Sequence, residues 1–265
     1  MPDVTRFKLG KKPPKIDPRT LRLSKYSASL PAPPPSCDWT KGVTSWGEML
    51  NDQLGDCTCA AVGHADQVVS LNSPSGFMVT PPDQLILNLY ERSCGYVPGD
   101  PSTDQGGVIV DVLNYVRQHG LGRKDAHRRH RKKFKLYAYA DPDPGNLNHV
   151  KQSIATFGVV DIGLNLPLTA QSQVGGVWDV VGNPRNNPNS MPDSWGGHSV
   201  AVCGYDADTL TCITWGMLQK MTYAFWAFYC DESHALLFAA WLERFGAQAP
   251  AALQQLQADL ALVTG

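Results

Sequence analysis

The apolar residues of this chain change their period part-way along it. Ala60, Ala61, Val62, Ala65, Val68, Val69 and Leu71 recur at helical spacing, and Asn72, Ser73, Pro74 and Gly76 end the run. Thr80-Pro81-Pro82-Asp83 opens a second helical stretch through Leu85, Leu89 and Tyr90. Gly106-Gly107 opens a third through Ile109, Val112, Leu113 and Val116, ending at Gly120. Beyond Lys135 the pattern shortens to period two: Lys135 to Ala140, Val159 to Leu166, His198 to Tyr205, Leu210 to Trp215 and Met221 to Phe228 read as strands. One amphipathic helix, Asn146 to Phe157, interrupts them, and Glu232 to Phe245 and the Ala- and Gln-rich tail 247–263 read as helices. Helices first and strands later argue for an α+β fold.

Residues 1–36 have a different composition. They hold eight Lys or Arg, two Asp and the prolines Pro31, Pro33, Pro34 and Pro35, so they read as an extended arm burying little apolar surface. Compact structure is expected from Cys37-Asp38-Trp39 onward. The net charge of −1 gives the whole molecule no bias toward nucleic acid or anionic membrane. No run of about 18 apolar residues suggests a membrane span. Met1 to Lys15 lacks the apolar stretch of a signal peptide, so a cytoplasmic location is the expectation. Seven cysteines, an odd number in a long chain, favour reduced thiols over a disulfide framework. Cys57-Thr58-Cys59 is too tight for a zinc knuckle and no matching pair follows, so neither metal nor cofactor is expected.

Two places suit chemistry. Asn51-Asp52-Gln53-Leu54-Gly55-Asp56-Cys57-Thr58-Cys59 sets thiols where a loop becomes a helix, and the unpaired amides and dipole there favour a thiolate. Those amides, with a side-chain amide as second donor, also suit a developing oxyanion. Asn51 and Gln53 each stand six residues before a cysteine, Cys57 and Cys59 respectively, so the nucleophile is Cys57 or Cys59. Asp56 before Cys57 is a natural N-cap, which favours Cys57, although its charge raises the thiol pKa. A cysteine nucleophile needs a base from elsewhere in the chain. His198 follows Trp195-Gly196-Gly197 and opens Ser199-Val200-Ala201-Val202-Cys203, so a strand would hold it at a cleft edge. The ordinary alternatives are a packed helix start and a satisfied core histidine. His64 is expected on another helix face or in the core, and His127, His130, His149 and His234 in polar or helical settings without a thiol nearby.

In order along the chain these segments resemble the papain-like cysteine peptidases. Leu30-Pro31, Asp38-Trp39 and Val43 resemble the start of a mature enzyme, and Asn51 to Ala61 the segment with oxyanion donor and nucleophile. Gln105-Gly106-Gly107 resembles the cleft wall, Asn146 to Leu166 the entry to the second half, Gly197 to Tyr205 the histidine strand, and Thr214-Trp215-Gly216 the segment that orients the histidine. The resemblance implies a helical half, an antiparallel sheet or barrel half and an active-site cleft between them. It divides the chain into an arm (1–36), a papain-like domain (37–230) and a C-terminal helical extension (231–265). It implies catalysis by Cys57 and His198 with Thr214 and Asn51 (alternatives Cys59 and Gln53), and substrate contacts at Gly106, Gly107, Trp195 and Gly197. The chain departs from the pattern in lacking Cys-Trp, in placing Thr214 (or, aligned on Trp215-Gly216, Ile213) where the family has asparagine, and in placing Asp104 where a cysteine is expected. The arm is short for a propeptide, and control by a proenzyme segment is not inferred from it.

The functional expectation is a thiol hydrolase cleaving or transferring peptide or amide bonds. The alternative is an inactive papain-like scaffold serving as a binding or structural module, for instance in a phage particle or a mobile element. The run from Gly122 to Lys135, with eight Lys or Arg and one acid, invites nucleic acid but reads more simply as a solvated loop.

Overall fold

The structure, a computed structural model, describes residues 4–18, 20–122, 134–143, 145–243, 254–255 and 258–259. At its centre is α1 (Cys57–Leu71), whose residues are all buried. α2 (Asp83–Cys94) and α3 (Ile109–His119) flank it, each ending at a glycine with positive φ, Gly95 and Gly120. Two polar residues of α1 pair inside: His64 Nδ1 lies 3.0 Å from Gln67 Oε1, and Gln67 Nε2 donates to the Trp46 carbonyl at 2.8 Å. His64 is thus a core residue.

The second half is one sheet. β1 (Leu21–Arg22), β3 (Leu136–Asp141), β9 (Cys230–Phe238), β4 (Val160–Leu166), β6 (Gly196–Tyr205), β7 (Thr209–Thr214), β8 (Met217–Thr222) and β5 (Val177–Trp178) follow in that spatial order, and β2 (Cys37–Asp38) pairs with β6. β6 shows why alternation sets the architecture: Val200 and Val202 face one core, Ala201 and Cys203 the other. The second core holds α1, α2 and α3; the first holds α4 (Leu147–Phe157) and α5 (Tyr223–Tyr229). The arrangement is the expected α+β one.

Three local expectations are corrected. Met221 to Phe228 is not one strand: β8 stops at Thr222, whose Oγ1 accepts the Phe225 N–H, and α5 begins. The buried side chains Phe225, Trp226 and Tyr229 fit helical spacing. Glu232 to Phe238 is not helical: these residues belong to β9, a strand buried between β3 and β4, Ala239–Glu243 forms α6, and residues 244–245 lie outside the described residues. A strand covered on both faces loses its alternation and mimics a buried helix. The boundary drawn at residue 230 therefore falls at the first residue of a central strand. The arm is also more than a solvated tail: Phe7, Leu21, Leu23, Tyr26 and Leu30 are buried in the first core. Its basic residues dilute the mean hydropathy, but isolated apolar side chains each fill a site on the body. Residues 123–133 of the basic run, His127 and His130 included, and most of the 247–263 tail lie outside the described residues.

Among the described residues no helix is long and apolar enough to cross a membrane, and no group of three or more His, Cys, Asp or Glu is placed to hold a metal ion. His234, expected in a polar or helical setting, is buried in β9 between Asp141 (2.6 Å) and Glu232 (3.0 Å). Burial opposes its charge, but the two carboxylates outweigh that and raise its pKa to about 10. The folded state therefore holds a proton that the unfolded chain loses near pH 6.5. This stabilisation is complete below about pH 6.5 and is lost as pH rises toward 10. The melting temperature should fall across that window, and His234→Gln should flatten the fall; parallel wild-type and variant curves would refute the assignment.

Candidate active site

The loop before α1 is held in an unusual backbone shape. Met49 and Leu50 both have positive φ (54° and 71°), a conformation costing about 1 kcal/mol or more for a residue with a side chain. Met49 is accommodated because Gly63 on α1 has no Cβ, which would lie 2.3 Å from the Met49 sulfur. The loop is then tied across the molecule without a covalent bond. The Asp104 carboxylate accepts the Gly55 N–H (3.0 Å) and the Tyr90 hydroxyl (2.7 Å), and the Tyr90 oxygen accepts the Gly106 N–H (2.8 Å). The residue standing where a cysteine was expected thus links the loop to the Gly106-Gly107 wall by hydrogen bonds. All seven cysteines are free thiols.

The two candidate thiols part company at α1. Cys59 points toward α2, with its sulfur 3.8 Å from Ser93 Oγ. Cys57 lies at the opening of β6, where the Ser199 N–H favours its thiolate. Burial nevertheless pushes the Cys57 thiol up to about 12, and the nearby Asp56 and Asp161 push the same way. Asp56 occupies the N-cap position, but its side chain makes no capping bond and both its oxygens lack a hydrogen bond. The capping role expected of it is corrected: the carboxyl turns inward, and burial raises its pKa far above the usual range, offset only in part by the Asn51 amide. Asn51 is buried and its Nδ2 donates to the Leu54 carbonyl at 3.1 Å, whereas Gln53 is exposed.

His198 is wholly buried. Its ring stacks on Trp215 (centroids 4.4 Å, 16° between planes), and its Nε2 is 2.6 Å from Thr214 Oγ1. Thr214, not Ile213, meets the imidazole; Ile213 packs in the helical-side core. Trp215 has a positive φ of 45°, so the residue after Thr214 turns back over the ring. Nδ1 of His198 is buried without a hydrogen bond, and no bond joins it to a cysteine sulfur. Burial holds its pKa down at about 3. At neutral pH the site thus holds a neutral thiol and a neutral imidazole.

The sequence did not signal what fills the groove. Residues 8–12 of the arm run between its walls. Lys8 N–H donates to the Asn51 carbonyl (3.2 Å), and Trp215 Nε1 donates to the Lys8 carbonyl (3.1 Å). Gly10 and Lys11 N–H both reach the Gly197 carbonyl (3.1 and 3.0 Å). Gly107 N–H donates to the Gly10 carbonyl and Lys12 N–H to the Gly107 carbonyl, each at 2.8 Å, so the arm pairs in parallel with the wall. The fit needs glycine on three sides. A Cβ at Gly10 would sit 1.9 Å from the Gly55 oxygen, one at Gly106 1.9 Å from the Gly10 oxygen, and one at Gly197 2.2 Å from the Lys11 oxygen. Gly107 and Gly197 thus grip the arm through their backbones, Gly106 lies against it, and Trp195 packs beside Trp215 at 5.6 Å.

This is the fold of the papain-like cysteine peptidases. Xylellain, a cysteine protease from Xylella fastidiosa, superposes with a TM-score of 0.63 at 16% identity, over 88% of this chain and 96% of that one. A cysteine protease of Carica candamarcensis in complex with E-64 gives 0.55 at 18% identity, over 77% and 98%. A digestive procathepsin L of the Tenebrio molitor larval midgut gives 0.53 at 15% identity, over 88% and 76%. No family model matches the sequence, and no curated protein does.

The Asp104 link yields a stability test. Tyr90→Phe leaves the Gly106 N–H without its acceptor and removes one of the two bonds to Asp104 Oδ1, and should cost about 1–3 kcal/mol in urea unfolding. A change below about 0.5 kcal/mol would show that the link carries little.

Proposed function

We propose that this chain is a latent thiol hydrolase of peptide or amide bonds, with Cys57 as nucleophile and His198 as general base, held inactive by its own arm. The observation that carries this reading is the placement of His198. Trp215 and Thr214 fix the ring, and Nδ1 is left as the one nitrogen with no other duty. When the arm leaves, water and substrate enter, and the desolvation that keeps both groups neutral is relieved. The Cys57 sulfur then bonds to the substrate carbonyl carbon while its proton passes to His198 Nδ1. Amide cleavage sends that proton to the leaving nitrogen, and water hydrolyses the thioester to a carboxylic acid, restoring the thiol. The Cys57 and Thr58 N–H groups, at the start of α1 before its hydrogen-bonded turns begin, and the Asn51 amide are the oxyanion donors.

Thr214 differs from an amide in one respect. A hydroxyl both donates and accepts, so it does not force the tautomer with its proton on Nε2 that leaves Nδ1 basic. Thr214→Asn, whose amide oxygen can accept that proton, should raise the rate constant, and Thr214→Val should lower kcat/KM by about tenfold or more. Equal rates for all three would exclude an orienting role.

The other reading is a scaffold without turnover. It is favoured by the missing bond between His198 and a sulfur and by a thiol held near 12. Iodoacetamide labelling near neutral pH separates the two. Gly10→Leu cannot fit against Gly55 and should expel the arm. In that background Cys57 should label faster than in the wild type and faster than in a denatured control. Cys57→Ala should abolish the fast phase and His198→Ala should slow it. No fast phase in the arm-displaced chain would leave the scaffold reading standing.

A further inference from the structure

Lys11 is a basic residue in a basic arm, yet its side chain is 1% exposed. It descends from the groove past Gly163 of β4, where a Cβ would lie 2.2 Å from its Cε and 2.6 Å from the Glu232 Cγ. Its Nζ is 2.8 Å from Asp231 Oδ2, 3.5 Å from Glu232 Oε1 and 3.3 Å from the Lys12 carbonyl. The pocket therefore has a stem-wide entrance made by a missing side chain and a floor made by two acids. Its acids do not serve one another's neighbours equally. Glu232 also pairs with His234, but among the described residues Asp231 has no cation other than Lys11. Asp231 Oδ1 and Glu232 Oε1 are both buried without a hydrogen bond, so acceptor capacity remains around the ammonium. On their other side the same two acids line a cavity of about 140 Å³ whose wall also includes Lys15, Arg22 and His234.

We propose that this pocket is a subsite for a cationic side chain, Lys or Arg, of a peptide bound in the groove, and that Lys11 is its occupant in cis. The inference rests on the groove of the proposed hydrolase but not on its chemistry. Lifting the arm takes away the one cation that pairs with Asp231 among the described residues. An apolar side chain there would bury that charge unpaired, whereas an ammonium or guanidinium replaces what Lys11 supplied. The site thereby selects by charge at a position where the opening, a glycine, imposes little on shape.

The test uses the full chain carrying Gly10→Leu to displace the arm and Cys57→Ala to prevent turnover. The ligand is a labelled synthetic peptide of residues 6–14, read by fluorescence anisotropy, with a second peptide carrying Lys11→Leu. The unaltered peptide should bind about tenfold or more tightly than the Leu peptide. Adding Asp231→Asn and Glu232→Gln to the chain should erase the preference, and Gly163→Val should block the unaltered peptide. Equal binding of the two peptides, or a preference that survives loss of both acids, overturns the proposal. Should Gly10→Leu not fold, hydrogen exchange of the Lys12 amide, bonded to the Gly107 carbonyl, decides instead. Lys11→Leu and Asp231→Asn should each speed that exchange about tenfold, and the double variant no further; unchanged exchange in the single variants overturns the proposal. Since no readout uses Cys57, charge preference without thiol reactivity would retire the hydrolase reading alone. Reactivity without preference would retire the subsite alone.

Discussion

The site depends on the complete burial of α1. A helix covered on every side cannot slide or tilt without opening cavities in close-packed surroundings. Its first turn is therefore fixed against β6, where the sheet half meets the helical half. That position sets Cys57 at the opening of the strand that carries His198. It also explains the buried polar groups of α1, because a helix crossing the middle of a domain must satisfy them internally, as Gln67 does with His64, Thr80 and the Trp46 carbonyl. The Asp56 carboxyl at its N-cap, Thr58 Oγ1 and His64 Nε2 are buried without a hydrogen bond, and burial raises the Asp56 pKa.

The groove is shaped by what is missing from its walls. Gly106, Gly163 and Gly197 each leave a volume that arm backbone or a lysine stem occupies, and Gly10 on the arm leaves room for the Gly55 carbonyl. Backbone hydrogen bonds with Gly107 and Gly197 hold the arm there without involving its side chains. Discrimination has to come from the pocket beneath, and its floor is acidic. One acid of that floor leads on to His234 and Asp141, so the anchor of the arm and the protonated histidine belong to one electrostatic neighbourhood.

Two substitutions of chemistry mark this chain within its fold. Asp104 makes hydrogen bonds where a disulfide was expected of the family, a link that needs no oxidising environment. Thr214 contacts the imidazole in place of asparagine, keeping the hydrogen bond but giving up control of the tautomer. The stacking of Trp215 supplies part of the orientation that the hydroxyl does not.

The sequence by itself determined α1 to α4 and strands β3, β4, β6 and β7, because these rest on local periodicity and caps. It left Cys57 and Cys59 undivided, since a spacing of two residues on a helix turns a side chain by about 200° and only the neighbouring α2 and β6 say which way is inward. Strand β9 was hidden because burial on both faces erases alternation, and α5 because its five aromatic residues suit either period over so short a run. The fate of the arm was beyond any local rule. Lys11 reads as solvated until folding brings it to Asp231 and Glu232, more than two hundred positions away, and an attraction between such distant charges exists only once the tertiary structure has excluded water from between them.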